Sequence, residues 1–145
     1  MLSFLDKNFV LPADSKKVWQ SIADVAATPN WIDGVQASEI TSDAKEGVGL
    51  SWKEKSAFGK QAVQMDHEIT IWEPNKKIKI HSGLPMGGSM DRTMEFTEKG
   101  NETEVKATLE WDMGIVGSMI GEDKLRHMLE KSFDQTIANW QKLLA

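Results

Sequence analysis

The chain has 145 residues, with 8 methionines, 6 tryptophans and neither cysteine nor tyrosine. A chain of this length buries roughly 70% of the surface its unfolded form exposes, so one domain over residues 1–145 is expected, with no need of a staple. The lack of cysteine excludes disulfides, thiol nucleophiles, zinc ribbons and iron–sulfur clusters, and a net charge of -5 with scattered lysines offers no cationic field to nucleic acid.

Residues 4–11 read as a first strand ended by Pro12. Asp6, Lys7 and Asn8 interrupt its apolar character, so neither a signal peptide nor stable membrane insertion is expected, and the protein is expected in the cytoplasm. Asp14 or Ser15 can cap a short helix carrying Val18, Trp19 and Ile22 on one face, and Thr28-Pro29 begins another helical turn. From Val35 the apolar period becomes two, predicting strands near 35–42, 47–56, 61–73, 76–83, 89–98 and 103–113, seven with the first. Short turns between them predict an antiparallel meander.

The last helix is expected to begin between Ile115 and Glu122, where Glu122 and Asp123 suit its positive end. Leu125, Met128, Leu129, Phe133, Ile137 and Trp140 recur on one face, with His127, Lys131 and Asp134 on the solvated side. The fold class is therefore α+β: a seven-stranded curved antiparallel sheet wrapped around a long C-terminal helix, with two short helices between strands 1 and 2. A sheet that grips a helix in this way tends to leave a hollow.

Alternate turns of a meander lie at the same end of the sheet. One set, Thr41 to Glu46, Glu73-Pro74-Asn75 and Glu98 to Glu102, is polar and turn-forming. The other carries Phe58, Leu84, Met86, Ile115, Val116 and Met119, which predicts an apolar rim. Three readings of that rim stand side by side: the mouth of a cavity, a plug of loops packed on each other, or a face covered by a protein partner or a membrane surface.

Strand alternation also assigns faces. Val48, Leu50 and Trp52 share theirs with Glu54. Val63, Met65, Ile69 and Ile71 share theirs with His67, and Met90, Met94 and Phe96 with Arg92. Val105, Ala107, Leu109, Trp111 and Met113 form an unbroken apolar row. Glu54, His67 and Arg92 thus fall on faces that otherwise read as interior, where a charge needs a partner, water or a ligand. Ser132 and Thr136 lie within the helix stripe and could add hydroxyls.

Asp66-His67-Glu68 is not a metal site, because on a strand His67 points away from both acids. Gly83 to Gly88 lacks the lysine and helix of a phosphate loop, and no GxSxG elbow occurs.

Together, Pro12-Ala13, Val18-Trp19 with Asp24, Pro29-x-Trp31 with Gly34-Val35, Glu73-Pro74, Arg92 followed by Glu95-Phe96, Thr103-Glu104-Val105 and the closing helix mark out a fold. In these positions the chain resembles the START-like, birch-pollen-allergen-like superfamily, most closely its polyketide cyclase/dehydrase and lipid-transport group. The resemblance spans nearly the whole chain. It implies a helix-grip fold enclosing an apolar cavity for lipids, polyketides or similar molecules, in carriers, sensors or cyclases, with no metal and no organic cofactor.

Three functions follow as expectations. The first is a binding protein for an apolar small molecule, with Trp52, Met65, Met90, Met94, Trp111, Met128 and Phe133 as walls, and with Glu54, His67, Arg92, Ser132 and Thr136 as polar contacts. In the second, a cofactor-independent cyclase/dehydrase, Arg92 stabilises an enolate and His67 moves the proton. The third is an interaction protein whose apolar rim docks a partner chain, with a filled or vestigial cavity; a homodimer is a separate expectation.

Overall fold

Short turns and period-two patterning produce seven antiparallel strands in the order β1-β7-β6-β5-β4-β3-β2. The computed structural model describes residues 2–58 and 60–145, apart from the side chain of Phe58. The strands are β1 Ser3–Leu11, β2 Val35–Ile40, β3 Ser51–Phe58, β4 Gln61–Glu73, β5 Lys77–Gly83, β6 Ser89–Lys99 and β7 Glu102–Asp112. Helix α1 spans Ser15–Ala23, α2 Ile115–Ile120 and α3 Glu122–Leu144. A 3-10 helix, Val25–Asn30, follows α1 and carries Pro29 inside it, so the second helical turn begins before Thr28. These elements make the helix-grip architecture: one curved sheet with α3 lying across it.

Asp14 caps α1, its carboxylate accepting from Lys17 N at 2.9 Å, and the helix buries Val18, Trp19 and Ile22. Side chains of α3 service the free edge of β1. Arg126 Nη1 donates to Phe4 O at 2.9 Å, Gln141 Nε2 donates to Val10 O at 3.0 Å, and Lys7 pairs with Glu130 and Asp134. An edge whose carbonyls are occupied is a poor template for another strand.

Three local departures from strict alternation change which residues face inward. The third strand starts at Ser51 rather than 47, because Gly47 and Gly49 take φ of 84° and 96° in a turn, and Val48 is exposed there. A bulge between Ile69 and Ile71 shifts the register of β4 on β5, so that Trp72 pairs with buried Ile78 and reaches the ring of Trp19. Gly121, at φ 95°, divides the last helical segment into α2 and α3, leaving Glu122 and Asp123 in the first turn of α3.

Two clusters fill the ends of the interior. Around Trp140 and Leu144 gather Phe9, Trp19, Trp31, Trp72, Met94 and Phe96. Trp31 stacks on Trp140 at 4.5 Å, and Trp140 Nε1 donates to Ser21 Oγ. Around Leu125 gather Leu109, Trp111 and Met113. α3 is thus pinned near both ends, while Met128, Leu129, Phe133 and Ile137 between the pins are only half-buried.

Candidate functional site

The inward face of the sheet carries the polar groups. On β3, Trp52, Glu54 and Ser56 point inward and are buried, while Lys53 and Lys55 point out and are exposed. On β4, His67 is buried between exposed Asp66 and Glu68, so the three side chains cannot converge on one ion. No cluster of metal-ligating side chains occurs among the described residues. The other two histidines look outward: His81 contacts Asp91, and His127 is exposed on α3.

Spacing alone cannot place Glu54 beside His67; the sheet register does. β3 and β4 pair Trp52 with His67 and Glu54 with Met65, bringing Glu54 Oε1 to 3.2 Å from His67 Nε2, without good hydrogen-bond alignment. Ser56 Oγ donates to Glu54 Oε2 at 2.6 Å, and His67 Nδ1 lies 2.6 Å from Ser82 Oγ on β5. The indole of Trp52 lies beside the imidazole, ring centres 5.1 Å apart. A chain of polar groups, Ser56, Glu54, His67 and Ser82, therefore crosses three strands inside the fold.

Arg92, on β6, is half-buried, and its Nε is buried with no partner. It makes no direct ion pair with a described residue, but its charge reaches both members of the Glu54–His67 pair. Burial alone would raise the Glu54 carboxyl; the close contact with His67, then the charge of Arg92 and the Ser56 hydroxyl, hold it below its ordinary value. Burial lowers His67, and Arg92 adds to this against the pull of Glu54. Burial likewise lowers Arg92, with Glu54 opposing, yet a guanidinium stays protonated. The resting arrangement is an ionised Glu54, a neutral His67 and a cationic Arg92. The matching hydrogen-bond direction has His67 Nε2–H facing Glu54 and Ser82 O–H donating to His67 Nδ1.

Around these groups, several inward residues remain half-buried: Val63 and Met65 on β4, Met90 on β6, and Met128, Leu129 and Phe133 on α3. Trp52 and Trp111 are fully buried; Trp52 and Met94 belong to the cluster around Trp140, and Trp111 to the one around Leu125. Ser132 and Thr136 turn their hydroxyls elsewhere. Ser132 Oγ donates to Asp33 Oδ2 and Thr136 Oγ1 accepts from Asp33 N, both at 2.9 Å, tying α3 to the loop before β2. A helical wheel places both residues near the sheet but cannot show that residue 33 meets them.

The apolar rim divides into two groups. Leu84 and Val116 pack against the Leu109, Trp111, Met113 and Leu125 cluster, as a plug would, whereas Met86, Ile115 and Met119 are exposed, Met119 by 74%. Met86 adopts φ 63°, a left-handed conformation uncommon outside glycine. The side chain of Phe58 lies outside the described residues. Ser56 and Ser82 were not singled out from sequence, although strand parity puts each on the same face as Glu54 or Ile80.

A family model described as polyketide cyclase / dehydrase and lipid transport matches residues 5–145. Comparison with curated proteins finds no match. Among solved structures, a START superfamily protein from Mycobacterium smegmatis superposes with a TM-score of 0.80 at 10% identity, covering 97% of this chain and 96% of that one. The Zhui aromatase/cyclase from a Streptomyces species gives 0.76 at 14% identity, over 99% and 92% of the two chains. Major latex-like protein 151 from Panax ginseng gives 0.76 at 11%, over 99% and 97%. At these identities the structural likeness establishes the fold. No helix among the described residues is long and apolar enough to cross a membrane.

Proposed function

The chain belongs to the polyketide cyclase/dehydrase and lipid-transport family, and from there we propose that it binds an apolar small molecule between the sheet and the middle of α3. One observation carries the reading: α3 is fixed near its two ends by Leu125 and Trp140, while the apolar residues between them stay half-buried beside a buried polar chain. Side chains that face the interior of a close-packed protein usually lose nearly all their exposure. Met65, Met90, Leu129 and Phe133 keep theirs, which fits space that a ligand would fill. Arg92 and the Glu54–His67 pair stand where they would orient its polar end, and exposed Met86, Ile115 and Met119 mark the mouth.

Mass spectrometry of the protein as purified, with thermal melts against fatty acids, sterols and aromatic polyketides, tests this reading. A ligand at a hundredfold excess over its Kd stabilises the folded chain by about 2.7 kcal/mol. If nothing co-purifies and no apolar compound shifts the melt, the binding reading is wrong.

A second reading, a cofactor-independent cyclase/dehydrase, is favoured by the Glu54–His67–Ser82 chain, in which a carboxylate orients an imidazole. Here Arg92 stabilises an enolate oxygen and His67 moves the proton. His67→Gln and Arg92→Met would then abolish turnover of a polyketone substrate while leaving the fold intact; turnover that persists in both removes this mechanism.

A further inference from the structure

Among the described methionines, two lie in the open. Met86 is 57% and Met119 74% exposed, while Met94 and Met113 are buried and Met65, Met90 and Met128 half-buried. Met86 sits at φ 63° in a tight loop closed by Leu84 N, which donates to Gly88 O at 2.9 Å. Met119 lies one turn from exposed Ile115 on the same face of α2. The two segments adjoin: a Cβ on Gly114, the residue before α2, would lie 3.5 Å from Met86 O. Both exposed thioethers thus stand at the proposed mouth, and the chain has no cysteine to react ahead of them.

A hydroperoxide oxidises a thioether to a sulfoxide. The sulfur lone pair attacks one peroxide oxygen, an S–O bond forms as the O–O bond breaks, and the proton on the transferred oxygen passes to the departing hydroxide. Sulfur loses two electrons, and hydrogen peroxide is reduced to water. The oxidant must reach the sulfur, so exposure ranks the methionines. A sulfoxide is polar and accepts hydrogen bonds from water, which costs the fold nothing at an exposed position. An apolar molecule entering past the two side chains must strip that water away, and a polar group resists this where a thioether does not.

We propose that Met86 and Met119 form an oxidation site at the mouth, that hydroperoxides convert them to sulfoxides ahead of Met65, Met90, Met94, Met113 and Met128, and that the conversion slows entry of the apolar ligand. This rests on the mouth assigned above and adds to it a control by redox state. Thiol-dependent methionine sulfoxide reductases are the class of enzyme that reverses the change.

Brief treatment with hydrogen peroxide, followed by fragment-ion mass spectrometry that separates Met86 from Met90 and Met119 from Met113, tests the order of modification. Met86 and Met119 each gain one oxygen at least about tenfold faster than Met94 and Met113, and ahead of the half-buried three. Stopped-flow uptake of a fluorescent anilinonaphthalene sulfonate slows at least about fivefold in the oxidised protein, at an unchanged melting temperature, and recovers on sulfoxide reduction. In Met86→Leu/Met119→Leu, which keeps the mouth apolar and removes both sulfurs, the same treatment leaves the variant's own uptake rate unchanged. Interior methionines oxidised as fast as these two, native uptake as fast after treatment as before, or equal slowing in the double variant overturns the proposal while the binding reading stands. A protein that takes up neither this probe nor any other apolar compound overturns the binding reading and the effect on uptake together, and the spectra still decide the order of oxidation.

Discussion

Leu125 is fully buried, while Leu129, one turn later on the same face of α3, is only half-buried. The contrast extends across the interior. Around Trp140, the rings of Trp31, Phe9, Phe96, Trp19 and Trp72 meet one another, and Met94 fills in beside them. In the middle, the inward residues Val63, Met65, Met90 and Leu129 stay half-buried, and the same sheet face carries buried Glu54 and His67 and half-buried Arg92. One sheet and one helix thus make both an aromatic core and a stretch beside it whose apolar side chains are only half-buried. Large rings join α3 to the sheet around Trp140, and Phe133 reaches Phe9 from the middle of the helix.

Stability should follow the same division. Trp140→Ala removes a stacked ring, two further aromatic contacts and the hydrogen bond to Ser21, and costs about 3–5 kcal/mol in urea denaturation. A loss near 1 kcal/mol would mean that the aromatic core is not dense. A sharper comparison uses the two leucines. Leu125→Ala costs about 3 kcal/mol, Leu129→Ala about 1 kcal/mol, and equal costs would erase the distinction between the regions.

The polar chain adds a pH effect confined to the middle. The folded chain keeps His67 neutral, so below the ordinary histidine value of 6.5 the unfolded chain binds more protons and stability falls. Glu54, held below its ordinary value of 4.5, adds a further loss only in more acidic solution. From pH 7.5 to 5.5 the native protein loses up to about 1 kcal/mol that His67→Gln does not lose. Equal loss in both proteins would show that His67 titrates normally.

The smallest effect is expected at the Asp33 loop. Ser132→Ala gives up one half-exposed hydrogen bond, costs about 0.5 kcal/mol and leaves ligand affinity unchanged. A drop in affinity would return this hydroxyl to the ligand site.

The pattern of what sequence could show follows from range. Period-two parity reads one strand at a time, and it put Glu54, His67 and Arg92 indoors because each alternates with apolar neighbours. It also carried Ser56 and Ser82, but a serine on an apolar face draws no notice until its partner is known. Parity failed where the backbone leaves regular geometry, at the Gly47–Gly49 turn before β3 and at the bulge that turns Trp72 inward. The helix stripe identified the face of α3 but not what opposes each turn of it. Asp33 claims Ser132 and Thr136 across about a hundred residues of chain, and no local pattern records that contact. The same holds for the half-buried middle: Leu125 and Leu129 look alike in sequence, yet only Leu125 is fully buried.

Filling the middle tests the central claim most directly. Met65 pairs with Glu54 across β3 and β4 and is half-buried, so Met65→Trp and Leu129→Trp each place an indole in the proposed ligand space. Displacement of a fluorescent naphthalene sulfonate probe by tetradecanoate, read beside the melting temperature of each variant, gives both quantities. The account predicts that probe and fatty acid uptake are lost in both variants while the melting temperature holds or rises. Uptake at native affinity in both folded variants would contradict it.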